Sequence, residues 1–211
     1  MLQVKELYDA ILNGNAKQAH AATEVALAAG ADPMALISSS MVPAMDEVGK
    51  LYEAEEYFVP ELLLAGRAMK SAMELLKPLL VASGQRMATR IIIGTVKGDL
   101  HDIGKNIVAS MLEGSGFEVI DLGTDVSPEH FVAAVEEREP QIVCMSALLT
   151  VTMPAMKNTI EAIRHAGQRA RVKIIIGGAP VTSQYALEIG ADGYSENASG
   201  AVALVKNLLA A

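Results

Sequence analysis

A chain of 211 residues, half of them apolar, is long enough to bury a substantial core in one large domain or two small ones. Seventeen Lys plus Arg against twenty-five Asp plus Glu leave a net charge of −8. That balance excludes non-specific nucleic-acid binding and docking on anionic lipid, and it favours neutral or organic ligands and protein partners. The single cysteine, Cys144, lies in the apolar run Ile142-Val143-Cys144-Met145. It reads as a buried strand residue in a reducing compartment, and no intramolecular disulfide is possible. Lys5, Glu6 and Asp9 interrupt the first apolar residues, so no signal peptide is expected. The longest uncharged stretch, Gln141 to Met156, is too short and too rich in Ser, Thr and Pro to span a bilayer. The expected location is cytoplasmic, with no membrane partner.

From residue 1 to about 80 the signals are helical. Val4, Leu7, Ile11 and Leu12 mark one apolar face, closed by Gly14-Asn15. A second, alanine-rich helix runs from about Ala16 to Ala29 and stops at Gly30. Asp32-Pro33 is an N-cap with proline in the first helical position, opening a third helix through Leu36, Ile37, Met41, Met45 and Val48 that Pro43 should kink. After the polar break Glu53-Ala54-Glu55-Glu56, which reads as a solvated loop, Phe58-Val59-Pro60 opens a fourth helix. It carries Leu62, Leu63, Met69, Met73 and Leu76 and is expected to end before Pro78. Four helices on short connections form a small bundle, and the Met69/Met73/Leu76 stripe reads as its core.

The composition changes at Ala82-Ser83-Gly84-Gln85, which places a domain boundary there: residues 1–84 helical, 85–211 alternating. Strands are expected at 90–96, 117–122, 141–147, 172–176 and 192–195. Helices are expected at about 104–115, 128–138, 153–166, 183–190 and 198–209. Ser127-Pro128 and Thr152-Met153-Pro154 start helices, whereas Gly116, Gly167 and Gly190 end them. Five βα units with short loops imply a doubly wound, flavodoxin-like parallel sheet of Rossmann-like type behind the helical bundle.

Open α/β sheets bind ligands at the carboxyl ends of their strands. There the first strand meets Gly98-Asp99-Leu100-His101-Asp102-Ile103-Gly104. An Asp two residues before a His in a glycine-flanked loop suits one arrangement. The imidazole binds a metal through one nitrogen, and the carboxylate holds the other N–H and sets the tautomer. The loops after the third, fourth and fifth strands add Ser146, Leu148, Thr150 and Thr152; Gly177-Gly178; and Tyr194, Glu196 and Asn197-Ala198-Ser199. Together they offer hydroxyls and a glycine floor beside a metal ligand. The glycine pair could also be no more than a tight turn. Gly94-Thr95-Val96-Lys97-Gly98-Asp99 lacks the Walker spacing, and no G-x-G-x-x-G follows the first strand. His20, His130 and His165 sit in helical patterns and read as structural.

Asp99-x-His101-x-x-Gly104, followed at long intervals by Ser146-x-Leu148 and Gly177-Gly178, resembles the cobalamin-binding signature of base-off/His-on corrinoid proteins. Met45-Asp46-Glu47-Val48-Gly49-x-Leu51-Tyr52 and Tyr57-Phe58-Val59-Pro60-Glu61-Leu62-Leu63 resemble the helical cap of the methionine synthase cobalamin module. The match is still better to the corrinoid subunits of methylamine, methanol and betaine methyltransferase systems. The resemblance implies His101 as the lower axial ligand to cobalt in place of the cofactor's own base, with Asp99 behind its imidazole and Thr152 extending the relay. It implies Ser146, Thr150, Gly177, Gly178 and Ala198 along the channel for the displaced nucleotide tail. Gly98 and Asp102 then flank the ligand beneath the corrin, Gly104 and Leu148 belong to the cofactor-binding set as residues of the signature, and Tyr52, Val59 and Leu62 match cap positions over the cobalt. Ser38-Ser39-Ser40 departs from the family pattern of an Asn or Glu followed by small residues, so no cap hydrogen bond is assigned there.

The implied function is a methyl carrier cycling between Co(I) and methyl-Co(III), a non-autonomous subunit whose catalytic groups lie on partners. Those partners would be a substrate:corrinoid methyltransferase, a second methyltransferase acting on tetrahydrofolate or coenzyme M, and a reductive activase. The Ala82–Gln85 linker would be the hinge of the cap. Two rival readings are a cobalamin-dependent sensor and the small subunit of an adenosylcobalamin mutase.

Overall fold

A computed structural model describes residues 2–82 and 89–210. It separates two compact units: the helices up to Ala82 together with Ser110–Phe117, and Thr89–Ala109 together with the chain from Glu118 onward. Beyond Ala82, the expected boundary and hinge lie outside the described residues.

The helical unit contains α1 (Leu2–Leu12), α2 (Ala16–Ala28), a third run made of α3 (Pro33–Leu36), a π-helical turn (Ile37–Met41) and α4 (Val42–Glu53), and α5 (Val59–Ala82). Asn15 and Asp32 cap two of these runs, accepting Gln18 N–H at 3.1 Å and Ala35 N–H at 2.9 Å. The Glu61 carboxylate reaches back to the Phe58 N–H at 2.9 Å, half of a capping box at the start of α5. Leu7, Ile11, Met41, Met45, Val48, Leu62, Met69 and Leu76 are buried, at the three- and four-residue spacing that aligns one face of each helix.

Two expectations are corrected. The third run breaks before Pro43, in the π turn, where the Val42 N–H bonds Ile37 O; Pro43, which has no N–H to place, then sits in the first turn of α4. The fourth helix does not stop at Pro78 but continues to Ala82. Its apolar stripe extends past the proline to buried Leu80, and that burial outweighs one lost backbone bond.

The second unit contains β1 (Arg90–Thr95), α6 (Ile103–Gly114, whose last turns group with the helical unit), β2 (Glu118–Asp121), α7 (Pro128–Arg138), β3 (Ile142–Ser146), α8 (Met153–His165), β4 (Lys173–Gly177), α9 (Ser183–Ile189), β5 (Gly193–Tyr194) and α10 (Ala198–Ala210). The strands are parallel in the order β2-β1-β3-β4-β5. The chain leaves β1 toward β2 on one side and returns to β3 on the other, so the loops after β1 and β3 diverge around a crevice. Ile91, Ile92, Ile93, Val143 and Ile174 are buried because the central strands are covered on both faces. Register aligns Thr95 with Ser146, and Ser146 with Gly177, which brings the candidate loops to one edge of the sheet.

Candidate functional site

Asp99 organises that edge. Its side chain is 0% exposed, and each carboxylate oxygen collects donors from a different loop. Oδ1 accepts from His101 Nδ1 at 2.8 Å and from the His101 N–H at 3.1 Å. Oδ2 accepts from Thr152 Oγ1 at 2.7 Å and from the Leu148 and Leu149 N–H groups at 2.8 and 3.3 Å. Leu149 O lies 2.8 Å from the same Thr152 hydroxyl, whose one proton goes to the charged acceptor. Burial alone would raise the carboxyl's pKa. The bonds from Thr152, Leu148 and His101 outweigh it and hold Asp99 well below the usual carboxylate range.

An ionised carboxylate at Nδ1 places the imidazole proton there and leaves the Nε2 lone pair free. The His101 side chain is 51% exposed, while its backbone is held by Thr95 Oγ1 donating to His101 O at 2.8 Å. A rigidly mounted, accessible nitrogen donor results.

Gly98 makes the turn before Asp99 with φ +84°, and Asp102 begins α6, its carbonyl accepting the Asn106 N–H at 2.8 Å. Ser146 closes β3, its carbonyl accepting the Val96 N–H at 3.0 Å; Leu148 lends its N–H to Asp99, and Thr150 lies exposed in the following turn. Ala198 is buried at the start of α10 behind Asn197, whose Oδ1 accepts the Gly200 N–H at 2.8 Å. Gly178 (φ +124°) has a reason within the chain itself, since a Cβ there would lie 1.9 Å from Ala147 O. At Gly177 a Cβ would meet Ser195 O at 3.1 Å. The glycine pair thus makes room for neighbouring backbone. Tyr52, Val59 and Leu62 belong to the helical unit, where Leu62 is core, Tyr52 half-buried and Val59 exposed.

Sequence reasoning passed over the loop after β2. Asp125 in that loop accepts the Gly98 N–H at 2.8 Å. Nearby, the buried Lys105 bonds Asp121 and, at 2.7 Å, Asn106 Oδ1. The only signal for Asp125 was its place in Gly123-Thr124-Asp125, a loop-type run ahead of a helix start.

The edge offers one accessible imidazole donor beside exposed apolar side chains. Among the described residues no set of three or more His, Cys, Asp or Glu could hold a metal ion, so His101 is a single donor and a metal here would need its other ligands from elsewhere. The loops that Asp99 ties together expose Leu100 (72%), Ile103 (75%) and Val151 (81%), an unusual density of uncovered apolar side chains. Gly104 has open space where a Cβ would stand.

Two family profiles, each described as a B12 binding domain, match residues 89–203 and 3–77. The chain is 43% identical over 203 residues to trimethylamine corrinoid protein 1 of Methanosarcina acetivorans, covering 95% of this chain and 94% of that protein. It is 44% identical over 180 residues to dimethylamine corrinoid protein 1 of the same organism, covering 85% and 84%. Among solved structures, a cobalamin-binding protein from Desulfitobacterium hafniense superposes with a TM-score of 0.79 at 34% identity over 97% of each chain. A chain of the methanol:cobalamin methyltransferase complex from Methanosarcina barkeri superposes with a TM-score of 0.89 at 29% identity, over 99% of this chain and 80% of that one.

Proposed function

Because this chain belongs to the family of B12-binding corrinoid proteins of methylamine methyltransferase systems, we propose that it carries a methyl group between two methyltransferases, with His101 as the lower axial ligand of a cobalamin held base-off. The observation that carries the proposal is the mounting of His101: Nδ1 on the buried Asp99 carboxylate at 2.8 Å, Nε2 free on an accessible ring. When bound, the corrinoid cobalt supplies the nucleophile that takes up and releases the methyl group.

This chain's residues do the positioning. Asp99 keeps the imidazole proton on Nδ1, leaves Nε2 as the donor and, through Thr152, Leu148 and Leu149, fixes the ring relative to the β3 loop. Thr152 and His101 would hold the Asp99 carboxylate between them, so that the strength of the imidazole donor would be set by how firmly Asp99 accepts the Nδ1 proton. The exposed apolar side chains of Leu100, Ile103 and Val151, on the two loops that Asp99 joins, would be covered by a bound corrinoid and would help exclude water there. Ser146, Thr150, Gly177, Gly178 and Ala198 are assigned to the nucleotide tail, Gly98 and Asp102 to the lower face, and Gly104 and Leu148 to the cofactor-binding set. Tyr52, Val59 and Leu62 are assigned to the apolar cover that the family resemblance implies. The partners on this reading are a methylamine:corrinoid methyltransferase, a second methyltransferase with tetrahydrofolate or coenzyme M as acceptor, and a reductive activase, all cytoplasmic. No helix among the described residues is long and apolar enough to cross a membrane.

The test is reconstitution with cobalamin, followed by absorbance and electron paramagnetic resonance of the Co(II) form. Nitrogen splitting from a protein imidazole that disappears in His101→Ala supports the assignment. A protein that fails to bind cobalamin, or a splitting unchanged in His101→Ala, overturns it.

A further inference from the structure

We propose that Asp125 is a positioning residue for the ligand loop, clamping residues 97–99 from the loop after β2 so that His101 is presented in one place; this rests on the reading of His101 given above. Three bonds from this one residue fall on three successive residues. Its Oδ1 accepts the Gly98 N–H at 2.8 Å, its Oδ2 accepts from Lys97 Nζ at 3.0 Å, and its own N–H donates to Asp99 O at 2.9 Å. The backbone conformation makes this possible. Asp125 lies in the left-handed region (φ +54°), which aspartate tolerates better than most residues, and that turn brings its amide and its carboxylate to the same loop.

The clamp is itself anchored on both sides. Thr95 N–H bonds Gly123 O at 3.0 Å, Val126 N–H bonds Thr95 O at 2.9 Å, and Val96 pairs with Val126 as a parallel bridge. The loop after β2 therefore continues the sheet alongside the end of β1. Asp99 holds the ligand loop from its inner side, through the β3 loop. Asp125 holds it from the other, at Gly98, the residue with most backbone freedom and φ +84°. Without the carboxylate the Gly98 N–H has lost its acceptor and the turn before Asp99 becomes a hinge. The Gly98 amide and the Lys97 ammonium hold the Asp125 carboxyl below its ordinary pKa, so it is charged at neutral pH and its bonds are charge-assisted.

The test separates backbone from carboxylate. Asp125→Gly keeps the left-handed backbone and removes the acceptor; Asp125→Asn keeps both an acceptor oxygen and tolerance of the conformation; Lys97→Met removes only the exposed cation. In the full chain without cofactor, amide hydrogen exchange at Gly98 is expected to rise about tenfold in Asp125→Gly, the equivalent of one charge-assisted hydrogen bond. It should stay within about threefold of the unsubstituted protein in Asp125→Asn and Lys97→Met. In the Co(II)-cobalamin form, Asp125→Gly is expected to lose part of the imidazole nitrogen splitting, with Asp125→Asn restoring it. A merely structural residue would shift the urea midpoint and leave that splitting alone. Gly98 exchange and nitrogen splitting in Asp125→Gly that both match the unsubstituted protein would overturn the clamp. If the unsubstituted protein shows no imidazole splitting at all, the His101 reading falls, and the exchange measurement on the cofactor-free chain still decides the clamp by the outcomes just given.

Discussion

Asp99→Asn is isosteric and exposes what the charge does. Three donors converge on Oδ2 and two on Oδ1, and an amide offers only one oxygen. The oxygen takes the crowded side, facing Thr152, Leu148 and Leu149. The NH₂ then faces the His101 backbone N–H, donor against donor. A part-buried N–H left without an acceptor costs up to about 1–3 kcal/mol, and the remaining bonds fall from charge-assisted to neutral, roughly half as strong. The sum is about 2–4 kcal/mol of stability. The more specific consequence lies at the ring. To meet an amide N–H, Nδ1 must become an acceptor, which moves the imidazole proton to Nε2 and removes the lone pair that binds a metal. Urea unfolding of the cofactor-free protein measures the first effect, and the nitrogen splitting of the Co(II)-cobalamin form measures the second. A variant within 0.5 kcal/mol of the unsubstituted protein by the same measurement, with undiminished splitting, would refute the reasoning (about 0.5 kcal/mol being the ordinary scatter of a neutral surface change).

Acid should act through the same residue. The fold depresses the Asp99 carboxyl below its unfolded value of about 3.9, so its contribution to stability is fully present above that pH and is lost as pH falls below it. The stability gap between the unsubstituted protein and Asp99→Asn should therefore narrow between about pH 4 and pH 2, as read from urea midpoints; a gap that widens on acidification contradicts the assignment. Gly178→Ala forces a methyl to within 1.9 Å of Ala147 O in a conformation reserved for glycine. It should destabilise by about 3 kcal/mol or more by denaturant titration, while a serine or alanine at Gly104, where space is open, should cost under about 1 kcal/mol. The Lys105–Asp121 pair should be asymmetric, since the lysine side chain is 1% exposed and the aspartate 42%. Asp121→Ala leaves a buried ammonium with Asn106 Oδ1 but without its counter-charge and should cost about 3 kcal/mol, whereas Lys105→Met, which keeps the apolar stem, should cost about 1 kcal/mol in the same titration. Equal losses would mean that the lysine is solvated.

How far the sequence reaches depends on the range of the interaction. Asp32 and Ser127 announce helix starts because a cap bonds a backbone group only three residues away, whereas Asn15, read from the sequence as closing the first helix, caps the second. The isoleucine run 91–93 and the order of βα units announce a buried parallel sheet, since periodicity and connection length are themselves local. The pairing of Asp99 with His101 is local too, a contact across two residues, and the motif is legible for that reason. Pro78 and the π turn escaped because burial of Leu80 and of Met41 is a property of the bundle, and it overrode a local helix-breaking preference.

What only the tertiary structure decided is everything that reaches across loops. The bonds from Leu148 and Thr152 to Asp99 span 49 and 53 residues, and that from Gly98 to Asp125 spans 27. Parallel strands bring such residues together at one sheet edge without leaving any periodic trace along the chain. The same holds for Gly178, whose place in the sequence gives no sign that the carbonyl of Ala147 stands where a Cβ would have to go. The sequence alone determined that a histidine steered by an aspartate stands at the ligand edge of a parallel sheet. The fold decided how firmly, and by which distant residues, that histidine is held.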